Sequence, residues 1–239
     1  MPSHDESKPA GIEFYGGYEV YDENGIDLTL LRRSRERPIE ERWAENARAA
    51  AFAQVLWQAG QRRFKTQTTS PWSTTVIDAG PLIRQLEAHG VEYVVIGGLA
   101  MVAHGSAHIT KDLDICYRRT PPNLEAVAAA FAPLHPYLRG APAGLPFRFD
   151  ARTIQAGLNF TLTSDHGEVD LLGEVSGVGG YEQALAQSDE VEMFGLKVRI
   201  LSLDGLIAAK KAAGRNKDQL HLLELEALKK LRDAGPQGA

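Results

Sequence analysis

Apolar positions along the chain fall into two kinds of pattern. Leu82, Ile83 and Leu86 recur at helical spacing within Asp78–His89, and Gly90 follows as a stop signal. The same reasoning predicts helices over Ile39–Ala59 (started by Pro38), Asn123–Leu134, Leu203–Ala213 and Asp218–Arg232. Shorter helical pieces are predicted at Leu99–Ala103 and Tyr181–Gln187. Runs of branched and aromatic residues predict strands at Val91–Ile96, Asp112–Tyr117, Thr153–Ser164, Glu168–Leu172 and Met193–Ile200, the last kinked at Gly195. Asp165-His166-Gly167 is a tight hairpin signal. Nearer the N-terminus, Ile12–Val20 and Ile26–Leu31 read as a β-hairpin around Asp22-Glu23-Asn24-Gly25.

Strands and helices are thus mixed, with hairpins late in the chain. That predicts an α/β (α+β) fold, a mixed sheet with flanking helices, preceded by a hairpin-and-helix extension. Met1–Ala10 is polar, and Gln61–Val76 mixes Thr, Ser, Pro and Arg without a period. The expected organisation is an extension over 1–66, a linker over 67–76 and the main domain over 77–239.

Composition adds limits. At 239 residues, 44% hydrophobic and 24% charged, the chain can build a core without staples. The single Cys116 excludes an internal disulfide framework and a Cys-based zinc site. No apolar run is long enough for a transmembrane helix, and Met1–Ala10 lacks the apolar stretch of a signal peptide. A cytoplasmic protein with no membrane partner is expected. The net charge is −5, with an acidic middle and flanks richer in Lys and Arg. That leaves two readings, a solvated surface or a carboxylate site with cations reaching in from elsewhere.

The stretch that separates them is Val94-Val95-Ile96-Gly97-Gly98, followed by Thr110-Lys111-Asp112-Leu113-Asp114-Ile115. Successive side chains of a strand face opposite ways, so Asp112 and Asp114 share one face. Two carboxylates so placed repel unless a cation lies between them. A divalent ion with a taste for oxygen ligands suits them. Glycines without Cβ atoms let backbone N–H groups approach a ligand closely. If Leu99 opens a helix, those amides also lie at its positive end, which suits phosphate. Asp170, in Glu168-Val169-Asp170-Leu171, can complete a three-carboxylate site if its strand lies beside that of Asp112. It can also accept a proton from an attacking hydroxyl.

Taken in this order, the residues resemble the nucleotidyltransferase superfamily founded on DNA polymerase beta, and within it the small toxin and abortive-infection branch. Gly97, Gly98, Asp112, Asp114 and Asp170 match the pattern of strand, Gly-Gly, short helix, Asp-x-Asp and later Asp. His104-Gly105 and Thr110-Lys111 are also similar to that branch. The resemblance runs from about Ile83 to Leu231. It implies magnesium (manganese as the alternative) at Asp112, Asp114 and Asp170, which would also be the catalytic residues. It implies a nucleoside triphosphate as substrate and transfer of its NMP group to an acceptor hydroxyl on RNA, such as tRNA, or on protein. For the toxin branch it implies an antitoxin-like partner. It also implies nucleotide contacts from Gly97 and Gly98, and from a basic residue of the C-terminal helices. Lys210 leads there, close to the apolar face of its helix, with Lys211, Arg215 and Lys111 as further cations.

The chain departs from the pattern at two positions. Leu99 stands where many members have Ser, and His108 where relatives have Arg. An alternative reading follows, a binding module that keeps the cleft without turnover. Other residues read as structural: Cys116 as packed, His166 as an exposed turn residue, His104 as a cap, Trp43 and Trp57 as packing, and the basic run Arg32–Arg37 as surface. Asp218 reads as a helix cap or an ion-pair partner of Arg215.

Overall fold

The computed structural model describes residues 13–14, 18–64, 77–142 and 144–235. The polar segment 1–10 and the expected linker 67–76 lie outside them. Among the described residues, no helix is long and apolar enough to cross a membrane.

The fold is α+β. Two short strands, β1 (Glu13–Phe14) and β2 (Tyr18–Glu19), pair antiparallel. Helices α1 (Leu28–Glu36), α2 (Ile39–Phe64) and α3 (Ala79–Ala88) follow. Next come β3 (Tyr93–Ile96), α4 (Gly97–Ala103), β4 (Asp112–Tyr117) and α5 (Pro121–Phe131), with a 3-10 turn at Ala132–Leu134. Then β5 (Tyr137–Leu138), α6 (Ala151–Ala156), β6 (Asn159–Ser164), β7 (Gly167–Leu172) and α7 (Tyr181–Ala186) follow. The chain closes with β8 (Ser188–Met193), β9 (Leu196–Leu201), α8 (Leu203–Ala213) and α9 (Asn216–Asp233). Strands β3 to β9 form one sheet in the order β5-β6-β7-β4-β3-β9-β8. Its centre is mixed, since β4 runs parallel to β7 and antiparallel to β3.

Three expectations are corrected. The second strand of the N-terminal hairpin, Ile26–Leu31, is mostly helix. The Asp22–Gly25 turn forms, but Asp27 then accepts from the Thr29 and Leu30 amides at 2.9 Å and starts α1. A capping carboxylate satisfies amides that a helix start otherwise leaves without partners, which outweighs the strand propensity of Ile26–Leu31. Thr153–Ser164 is not one strand. Asp150 caps α6 by accepting from the Thr153 amide at 2.9 Å, and Gly157 ends it before β6 begins. Met193–Ile200 belongs to a hairpin rather than one kinked strand. Phe194 (φ 55°) and Gly195 (φ 72°) form its two-residue turn, with positive φ at both positions. Phe194 holds that conformation with its ring edge-on to Trp43 of α2.

That contact is one of several binding α2 to the core. Its N-terminal half buries Trp43, Asn46 and Ala50 and packs on α4 and β8. Arg42 donates to the Val102 and Ala103 carbonyls at 3.0 and 2.5 Å, covering the C-terminal end of α4. Asn46 donates to the His108 carbonyl at 2.6 Å and accepts from the Thr110 amide at 3.3 Å. The loop between α4 and β4 is therefore held by α2. Glu224 of α9 holds its other side, accepting from the Ser106 hydroxyl at 3.0 Å and the Ala107 amide at 2.8 Å.

Removing Arg42 leaves two helix-end carbonyls without their cation. Arg42→Ala is expected to lower unfolding free energy by about 1–3 kcal/mol in urea titration. Arg33→Ala, at an exposed position of α1, should change it by less than about 0.5 kcal/mol.

Candidate metal centre and its cleft

Register brings the acidic residues together. In the parallel β4–β7 pair, Asp114 lies opposite Asp170 and Asp112 opposite Glu168. Leu113 and Ile115 point the other way and are fully buried, so the core fixes which face the carboxylates take. Carboxylate oxygens of Asp112, Asp114 and Asp170 all lie within 4.8 Å of one another, and this cluster can hold a metal ion. An all-carboxylate donor set suits a hard divalent cation.

The glycines are fixed by the same carboxylates. Ile96, the last residue of β3, pairs with Asp114, so the chain turns into α4 directly beside it. Gly97 has φ 61°, and a Cβ there would collide with the Asp114 carboxylate. A Cβ at Gly98 would collide with the Thr110 hydroxyl. The Gly98 amide donates to Asp114. Thr110 in turn donates to Asp112 Oδ1 at 3.0 Å.

Burial and charge shift the acids. Burial, then the charges of Asp112 and Asp170, push the Asp114 carboxyl up to about 8. Lys210 and the Gly98 amide work against that rise. Burial also raises Asp170, against the opposing charge of Arg139. Arg139 follows β5 and donates to the Thr161 carbonyl from its amide at 2.9 Å. Its guanidinium crosses β6 to bond Asp170 and lies 3.5 Å from Glu168 Oε2.

A cavity of about 470 Å³ opens beside this cluster, lined by Gly97, Asp114, Thr161, Asp170, Lys210 and Arg215 among others. Its volume lies within the ordinary range for small-molecule sites. Lys210 is nearly buried and donates to Asp218 Oδ1 at 3.0 Å. Arg215 reaches Asp218 Oδ2 at 2.6 Å. Burial works to raise Asp218, but its bonds from Arg215 and Lys210 outweigh that and hold it at about 2. Asp218 is thus a permanent anion that fixes two cations at the cleft wall.

Of the cations expected near a nucleotide, Lys210 and Arg215 line the cleft. Lys211 does not; it pairs with Glu226 at 3.0 Å. Lys111 sits beside the cluster, 3.9 Å from Glu168 Oε2. Leu99 is buried in the core, so this position presents no polar group to the cleft. The His108 ring lies against His221 of α9 at 4.0 Å. His104 meets the Leu201 carbonyl at 2.9 Å and is structural, and Cys116 is buried.

Sequence reasoning missed Arg139. Nothing local marks it, because the strand it follows has two residues and its target lies two strands away. It also left Glu168 unassigned, although the period of two put that residue on the face of Asp170.

No protein-family model matches the chain, and no curated protein matches it either. The site is therefore read from its own chemistry.

Two outcomes are expected. Asp114 titrates higher in the folded chain than in the unfolded one. Its contribution to metal-free stability is therefore full below about pH 4 and lost as pH rises towards 8. A bound cation displaces that proton. The melting-temperature rise caused by magnesium or manganese should be larger at pH 8 than at pH 6. Asp114→Asn should abolish that rise and flatten the metal-free pH dependence, both read by thermal shift. Arg139→Gln removes a cation from an acidic cluster. It should tighten manganese binding at pH 8 by several-fold in calorimetry.

Proposed function

We propose that this protein is a metal-dependent nucleotidyltransferase that moves an NMP group from a nucleoside triphosphate to a hydroxyl on RNA or protein. The observation that carries the reading is the convergence of Asp112, Asp114 and Asp170 beside a Gly97–Gly98 turn, in a cleft also lined by Lys210 and Arg215. Carboxylates and cations lining one cleft suit a polyphosphate held through a divalent ion.

Asp112, Asp114 and Asp170 would hold magnesium or manganese, which supplies charge neutralisation on the phosphate oxygens. The backbone at Gly97–Gly98 admits a phosphate closely because neither residue has a side chain. Lys210 and Arg215, fixed by Asp218, bind the charge that accumulates on the departing phosphates. The acceptor hydroxyl attacks the α-phosphorus, and the bond to the bridging oxygen of pyrophosphate breaks. The hydroxyl proton passes to the Asp170 carboxylate as the base.

A second reading is favoured by two observations. Arg139 already neutralises Asp170, and Leu99 presents no hydroxyl to the cleft. A chain that binds nucleotide without turnover fits that state as well.

One assay separates the two. The protein is incubated with each labelled triphosphate, magnesium, and total RNA or cell lysate. Transfer of label with pyrophosphate release is expected. Asp112→Ala and Asp114→Asn should each lower it by at least about a hundredfold. Nucleotide binding without product would support the second reading. Equal transfer by Asp112→Ala would overturn the first. If the acceptor is an essential RNA or protein, expression of the wild-type chain should slow bacterial growth, and expression of Asp112→Ala should not.

A further inference from the structure

A second cavity, of about 270 Å³, lies between α1, α2 and the α4–β4 loop. Arg33 and Arg37 of α1 line it, with Arg42 and Glu45 of α2 and Ile109 of the loop. Arg33 and Arg37 stand four residues apart and so share a face of α1. They belong to the basic run Arg32–Arg37, which the metal centre does not use.

The charge of this lining is not balanced from within. Glu45 pairs with Arg37. Arg42 is half-buried and bonds only the carbonyls of Arg37, Val102 and Ala103. Burial first, and the charge of Arg35 second, work against the Arg42 cation, with Glu40 opposing them. Arg33 is exposed and has no ion-pair partner among the described residues. Three guanidinium groups thus stand against one carboxylate, a surplus of two positive charges. An anion in the cavity would offset that surplus. Guanidinium groups fit phosphate oxygens through paired N–H bonds.

Size and position narrow the anion. The cavity is smaller than those that enclose a whole small-molecule ligand, which run from about 300 Å³ upwards. It suits a single phosphate whose carrier stays outside. Ile109 precedes Asp112 by three residues, so the cavity lining comes within about 11 Å of a metal-centre carboxylate along the chain. Asn46 also lines the cavity, and it bonds the His108 carbonyl and the Thr110 amide on either side of Ile109. The spacing between cavity and metal centre is thus held by the fold. An RNA strand whose hydroxyl reaches the metal centre carries phosphates at such distances, and a protein hydroxyl carries none.

We propose that this cavity binds a backbone phosphate of the acceptor, which makes the acceptor RNA rather than protein. The inference rests on the transferase reading, but the binding it requires is measured without turnover.

Fluorescence anisotropy with a labelled single-stranded RNA, in magnesium and without nucleoside triphosphate, tests this. The full wild-type chain should bind, and excess inorganic phosphate should compete. Arg33→Glu should weaken binding at least about tenfold, with an unchanged melting temperature. Its log affinity should also fall less steeply with log salt, by about 0.7 in slope, for the loss of one phosphate contact. Glu45→Gln frees Arg37 and should tighten binding several-fold. A wild-type chain that binds no RNA overturns the proposal. So does an Arg33→Glu variant that binds as tightly as wild type, or a Glu45→Gln variant that binds no tighter. Inorganic phosphate binding that depends on Arg33, without RNA binding, would assign the cavity to a free phosphate ester and equally overturn it. Label transfer to protein alone would overturn it and leave the transferase reading intact. RNA binding that depends on Arg33, with no label transfer to any acceptor, would support the phosphate site and overturn the transferase reading instead.

Discussion

Mutual repulsion among three carboxylates is the constraint around which the centre of this molecule is arranged. At separations of no more than 4.8 Å, each ionised pair opposes the fold by about 3 kcal/mol or more in a medium of intermediate dielectric. Water would screen the charges, but the core below β4 and the cleft wall above keep much of it away. The metal-free protein answers in two ways. Asp114 holds its proton well above the usual carboxylate range, and Arg139 supplies a fixed positive charge to Asp170. Both answers are replaceable by one divalent cation. An acidic row that merely faced solvent would need neither.

The cationic part of the cleft lining solves the inverse problem. Lys210, nearly buried, and Arg215, more exposed, would repel each other if nothing lay between them. Asp218 sits between them, almost fully buried, and its depressed pKa keeps it ionised at any physiological pH. Two cations on one anion leave a net positive charge directed at the cleft. The positive charge in the cleft lining is therefore built into α8 and the start of α9.

Much of this was legible in the sequence. Alternation in Asp112–Ile115 and Glu168–Leu171 fixed which side chains share a face, because a strand has a period of two and one face had to be buried. The glycines stood out because few other residues tolerate such a close approach. Lys210 could be placed by its distance from Leu206 and Ile207 along the helix. What failed was local competition. Asp27 and Asp150 act as caps, and one or two capping bonds outweighed the branched residues that read as strand. The hairpin at Phe194-Gly195 was hidden because a bulky residue at positive φ is a poor turn signal, and only its packing on Trp43 makes sense of it. Arg139 could not be found at all, since its role depends on a strand order that sequence spacing does not contain.

The N-terminal extension packs directly against the main domain through α2. Asp112 is held by Thr110, and Thr110 by Asn46 of α2. The α4 helix that opens at Gly97 is closed at its other end by Arg42 of α2. Glu224 of α9 grips the intervening loop from the C-terminal side. The short segment that carries both the glycine turn and the first carboxylate is buried along α4 and is held from outside as well. Its position is set by helices drawn from the two ends of the chain. A disturbance in the first half of α2 reaches Asp112 through two hydrogen bonds. That path is much shorter than the sequence distance of 66 residues suggests.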